Sequence, residues 1–133
     1  MSPGPSPVEP VDPFDLPDWL GTDAVTWTAE SVLRGEHRVQ GCLGESGGQR
    51  LPCDLLAVDE AFPQPVADDA TRHAAHQAWR HGQVHLGRRD GRLVLLVPGT
   101  CFTADRLLDA VGRLARAVGA SPDRYAAHLR IGG

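Results

Sequence analysis

Residues 83–119 constrain the fold more than any other stretch. They read as strand, tight turn, strand, Pro-Gly break and long helix. Val84 and Leu86 alternate with polar residues, the pattern of a half-buried strand. Asp90-Gly91 follows, and both residue types tolerate the positive φ of a two-residue hairpin turn. Leu93-Val94-Leu95-Leu96-Val97 is apolar at every position, so the strand it forms must be covered on both faces. Pro98-Gly99 ends it. Thr103 is placed to cap a helix in which Leu107, Val111, Leu114 and Val118 recur at helical spacing, with Leu108 and Ala115 widening the stripe. Gly119 closes that helix. The unit builds a core and carries no catalytic motif.

The remaining elements follow from similar signals. Residues 1–13 hold five prolines and almost no large apolar side chain, which predicts a disordered, acidic, proline-rich tail. Phe14, Leu16, Trp19 and Leu20 then form a segment expected to dock on the domain. Val25-Thr26-Trp27-Thr28 alternates as a first strand. His37–Leu43 and Arg50–Val58 read as a hairpin around Gly47-Gly48. A two-residue turn there sets Glu45 opposite Arg50, Leu43 opposite Pro52 and Cys42 opposite Cys53. A helix is expected from Asp68 or Asp69 to His81, with Thr71, Ala75, Ala78 and Trp79 inward and Gly82 as its stop. Ser121-Pro122 predicts a last helix carrying Tyr125, Leu129 and Ile131. The expected architecture is α+β: residues 14–133 form a single domain, a largely antiparallel sheet of about five strands, two hairpins plus one strand, with two to three helices packed on it.

Composition narrows the setting. All 13 basic residues are arginine, and lysine and asparagine are absent, as codon bias in a GC-rich genome would produce. The arginines therefore argue less for nucleic acid than they would elsewhere. The first 33 residues carry six acids and no base, whereas residues 88–133 carry eight arginines and four acids. An acidic tail on a mildly basic body is expected either to fold back over it or to blunt non-specific contact with nucleic acid. No apolar run reaches a membrane span. The N-terminus lacks the basic and apolar regions of a signal peptide, so the expected location is cytoplasmic and the three cysteines are expected as free thiols.

Four groups of residues bear on chemistry. Asp69, His73 and His76 share a helical face and offer a metal site, but Arg80 lies further along that face and no fourth ligand is marked. A solvated face with an Asp69–His73 pair explains them as well. Cys101 precedes a helix N-terminus, where a thiol becomes reactive, yet no base is marked beside it. Arg88, Arg89 and Arg92 cluster at a hairpin tip able to grip phosphate, without an aromatic residue in the turn to stack a base. Asp59-Glu60 is an adjacent acidic pair whose side chains point apart. No residue is assigned as catalytic, cofactor-binding or metal-ligating, and no cofactor is implied.

The runs Cys53–Ala61, Ala75–Val84 and Val97–Thr100 with Phe102–Asp105 together resemble small conserved actinobacterial proteins of unknown function. That resemblance covers Phe14 to Gly132 and implies no activity. More loosely, the hairpin-plus-helix order resembles the type III secretion chaperone-like fold. The first functional expectation is a non-enzymatic protein–protein interaction or chaperone-like module, a homodimer that binds another protein. The second is a small enzyme or metal-dependent protein using His73, His76 or Cys101. The third, disfavoured by the net acidic chain, is nucleic-acid binding through Arg88, Arg89 and Arg92.

Overall fold

In the computed structural model, which describes residues 9–22, 25–33, 37–45, 48–59, 67–123 and 125–131, the run Leu93–Val97 is buried at every position. In chain order the elements are β1 (Glu9–Val11), a 3-10 turn (Pro13–Asp15), α1 (Trp19–Thr22), β2 (Val25–Leu33), β3 (Arg38–Val39), β4 (Gly41–Glu45), β5 (Arg50–Ala57), α2 (Asp69–Arg80), β6 (His85–Arg89), β7 (Arg92–Val97), α3 (Ala104–Ala117) and β8 (Ala126–Ile131). The strands form one sheet in the order β1-β6-β7-β5-β4-β2-β8, with β3 also on β5.

This is α+β, but the expected sheet is corrected. Among the described residues there are eight strands, not about five, and two neighbouring pairs are parallel, β5 with β7 and β2 with β8. Three segments account for the difference. Residues 9–11, expected in a disordered tail, pair with β6, Val11 lying opposite Leu86; residues 1–8 fall outside the described residues. The strand expected over 37–43 breaks at Gln40 into β3 and β4. The expected last helix is instead β8, parallel to β2. Tyr125, just before it, and Ala127, Leu129 and Ile131 alternate with Ala126, His128 and Arg130, so period 2 fits this stretch as well as the helical spacing first read from it.

The parallel pair explains the two-faced apolar strands. Leu93, Leu95 and Val97 face α3, whose Leu107, Ala110, Val111, Leu114 and Ala115 are all buried in the main core. Val94 and Leu96, on the other face, join Leu56, Val58 and Ala75 of α2 in a smaller cluster. One helix thus covers each face where β5 and β7 meet. Thr103 caps α3 and Asp68 caps α2, each accepting from a backbone N–H in the first turn (Arg106 at 3.3 Å, Thr71 at 2.7 Å). Gly119 and Gly82 leave the two helices with φ of +83° and +74°. Two inward assignments change. Leu108 is 48 % exposed rather than part of the stripe. In α2 only Ala75 is fully buried, with Thr71, Ala78 and Trp79 half-buried.

The β4–β5 register is one residue away from the expected one. Leu43 lies opposite Leu51, Cys42 opposite Pro52 and Gly44 opposite Arg50. The Glu45 N–H donates to the Gln49 carbonyl at 3.1 Å, so the connection is longer than two residues; Gly47 itself falls outside the described residues. A one-residue slip exchanges faces. Cys53 is therefore turned into the main core while Cys42 sits half-buried on the other face, and all three cysteines are free.

Candidate functional site

The N-terminal segment is pinned at several points, and Phe14 is turned outward between them. The Asp12 carboxylate accepts from the Phe14 N–H at 2.9 Å, and the Asp12 carbonyl accepts from the Asp15 N–H at 2.9 Å, which closes the 3-10 turn. Leu16 and Leu20 then enter the core, and the Tyr125 hydroxyl donates to the Leu20 carbonyl at 2.8 Å. Burial pushes the Tyr125 hydroxyl pKa upward, so it remains a donor. Phe14 is left 94 % exposed. Clefts of about 530 and 420 Å³ flank it, one toward Leu16, Pro17 and Val118, the other toward Gln83 and Val84, with Arg116 and Ala117 shared. A large exposed aromatic beside clefts of mixed apolar and charged lining is the form of an interface anchor.

The histidines expected to share a metal are separated by their partners. His76 Nε2 lies 2.8 Å from Asp59 Oδ1, and Asp59 Oδ2 accepts from the Gly99 N–H at 2.7 Å. His73 instead faces Gln77 at 3.5 Å. Asp69 takes Arg72 at 2.5 Å rather than His73. Among the described residues no group of three or more histidine, cysteine or acidic side chains is placed to hold a metal ion. The Asp59–His76 pair stands where the parallel strands β5 and β7 end, the place at which open α/β sheets carry ligands. The segment after β7 is fixed from inside, because Arg106 donates to the Cys101 carbonyl at 2.7 Å and also to the Pro98 carbonyl. Cys101 is half-buried there. Cys53 is wholly buried, and burial pushes its thiol pKa upward, away from reactivity.

The expected arginine tip is divided. Arg88 is exposed, and the Nε of Arg89 is buried with no hydrogen-bond acceptor among the described residues, Asp90 lying 4.0 Å away. Arg92 turns back across β7 to Asp54, which is 1 % exposed, donating from Nε at 3.1 Å and from Nη2 at 2.9 Å. It also reaches Glu30 at 3.3 Å and the Gly41 carbonyl at 3.2 Å. Its hydrogen bonds to Asp54 hold the Arg92 pKa above its ordinary value. Arg38 adds a further bond to Asp54 at 3.2 Å.

This network repairs the strand break. The Gly41 N–H donates to Asp54 Oδ1 at 3.3 Å, and the Cys53 carbonyl accepts from Trp27 Nε1 at 2.9 Å. Side chains thereby serve backbone groups that an unbroken pair would serve itself. Gly41 is needed because a side-chain carbon there would run into the Trp27 ring.

Compared with protein-family models, curated proteins and solved structures, the chain matches none. Sequence reasoning missed the Asp54 network and the Asp59–His76 pair. The first had a signal, a carboxylate set inside the apolar run Cys53–Val58, which requires buried cationic partners. The second joins residues from a strand end and a distant helix, and no local spacing marks it. No helix among the described residues is long and apolar enough to cross a membrane.

Proposed function

We propose that this protein is a non-enzymatic interaction module that docks on another polypeptide through the Phe14 face. The observation that carries the reading is Phe14 itself, 94 % exposed on a segment otherwise anchored in the core. A free aromatic surface of that kind is stabilised by burial against a partner. The free thiols suit a reducing compartment, so the partner is sought among cytoplasmic proteins. The test places the photo-crosslinking residue p-benzoylphenylalanine at position 14, with position 108 as an exposed control, and irradiates cells producing each variant. Polypeptide adducts specific to position 14 are expected. Absence of any intermolecular adduct at position 14 would overturn the reading.

A second reading, a small enzyme, has one observation in its favour. Asp59 orients the His76 ring while itself held by the Gly99 N–H, the arrangement that fixes an acid–base imidazole. No nucleophile is hydrogen-bonded to His76 among the described residues. If Cys101 is that nucleophile, iodoacetamide alkylates it faster than a free thiol, and His76→Gln slows the reaction. An ordinary thiol rate in both proteins removes this reading.

A further inference from the structure

The Phe14 face carries features of complementary kinds side by side. The face carries a knob and a hole together: Phe14 projects beside a cleft floored by Leu16, Pro17, Ala117 and Val118. It also carries both signs of charge. Asp18 and Arg116 line that same cleft, both exposed, and neither has an ion-pair partner among the described residues. A two-fold axis sets the same patch against itself, so each feature meets its complement from the other copy.

Resting on the docking reading above, we infer that the Phe14 face is a homodimer interface in which Phe14 of each copy enters the other copy's cleft and Asp18 of each faces Arg116 of the other. The ion pair thereby forms twice, once on each side of the axis, and both exposed aromatic rings are removed from water. A different protein would need its own matching acid, base and apolar ring; a second copy carries them by symmetry. The patch is smaller than the roughly 20–30 residues per side of a standard interface. The dimer is accordingly weak and in concentration-dependent exchange with monomer.

Sedimentation equilibrium on the purified protein from about 1 to 200 µM reads this directly, the span over which micromolar association appears. The wild type is expected to pass from monomer toward dimer. Phe14→Ser is expected to weaken association about tenfold or more, as removal of a central aromatic anchor does. Asp18→Arg and Arg116→Asp each weaken it by placing like charges together, and the double variant D18R/R116D restores it, because each reversed charge again meets its opposite across the axis. These positions are exposed, so unchanged circular dichroism and melting temperature are expected and confirm folding in every variant. A wild type that stays monomeric throughout, or a double variant no better than the singles, overturns the inference. The crosslink at position 14 separates the two levels. Adducts to a different polypeptide with a monomeric wild type overturn self-pairing and leave the docking reading standing. No adduct between chains, or a link only within one chain, overturns both.

Discussion

Asp54 shows how far one residue determines its surroundings. A carboxylate at 1 % exposure is tolerated because Arg92, Arg38 and the Gly41 N–H all donate to it. Asp54→Ala removes the buried acceptor shared by Arg92, Arg38 and the Gly41 N–H, while Arg92 keeps Glu30 and the Gly41 carbonyl, so the loss should be about 1–3 kcal/mol. Chemical denaturation should show that loss, whereas Arg38→Ala, at a side chain 37 % exposed, should cost about 1 kcal/mol or less. His85 supplies a pH dependence. Burial lowers its pKa below the ordinary 6.5, so on acidification the unfolded chain takes up a proton that the folded chain resists. Stability contributed by the neutral ring is complete above about pH 6.5 and declines below it. The melting temperature should therefore fall between pH 7.5 and pH 5.5 by more in the wild type than in His85→Gln; equal slopes would contradict this. Neither residue was singled out by its spacing. Asp54 was legible only as an acid in an apolar strand, and the depth of His85 depends on which strands flank it.

Elements were legible wherever one period stood alone. Helix α3 has a 3.6-residue stripe, a threonine cap and a closing glycine, and its bounds follow from them. Its face was read one residue too wide. Leu114→Ala should cost about 2–5 kcal/mol as a buried leucine, while Leu108→Ala, 48 % exposed, should shift stability by about 0.5 kcal/mol or less. Equal losses by urea denaturation would mean that Leu108 is packed. The strand β8 carried two periods at once, and the Ser121-Pro122 start signal favoured the wrong one. What decides it is the β2 edge, which offers a ladder of backbone partners that no local signal reveals. The register of β5 on β4 was equally hidden, because a connection one residue longer preserves every apolar and polar type while exchanging the faces.

At the scale of the molecule, α+β was legible and the parallel pairs were not, since parallel partners are distant in sequence by construction. Both the N-terminal segment and β8 close the structure, and they are joined by the Tyr125 hydroxyl on the Leu20 carbonyl. Tyr125→Phe removes that one bond and should cost about 0.5–1.5 kcal/mol. Hydrogen exchange should speed up at α1 and β8 together; a change confined to β8 would show that the two do not support each other. The pairing of β2 with β8 has a further bearing on synthesis. Thr26 finds its partner at Ala126, one hundred residues later. A ribosome adding about 5–20 residues per second leaves that edge of β2 uncovered for about 5–20 s after it emerges. An open strand edge is a template for pairing with other chains. The nascent chain thus passes through a window in which its first long strand is available to neighbours on the same polysome, and slow translation of the 100-residue interval would widen it.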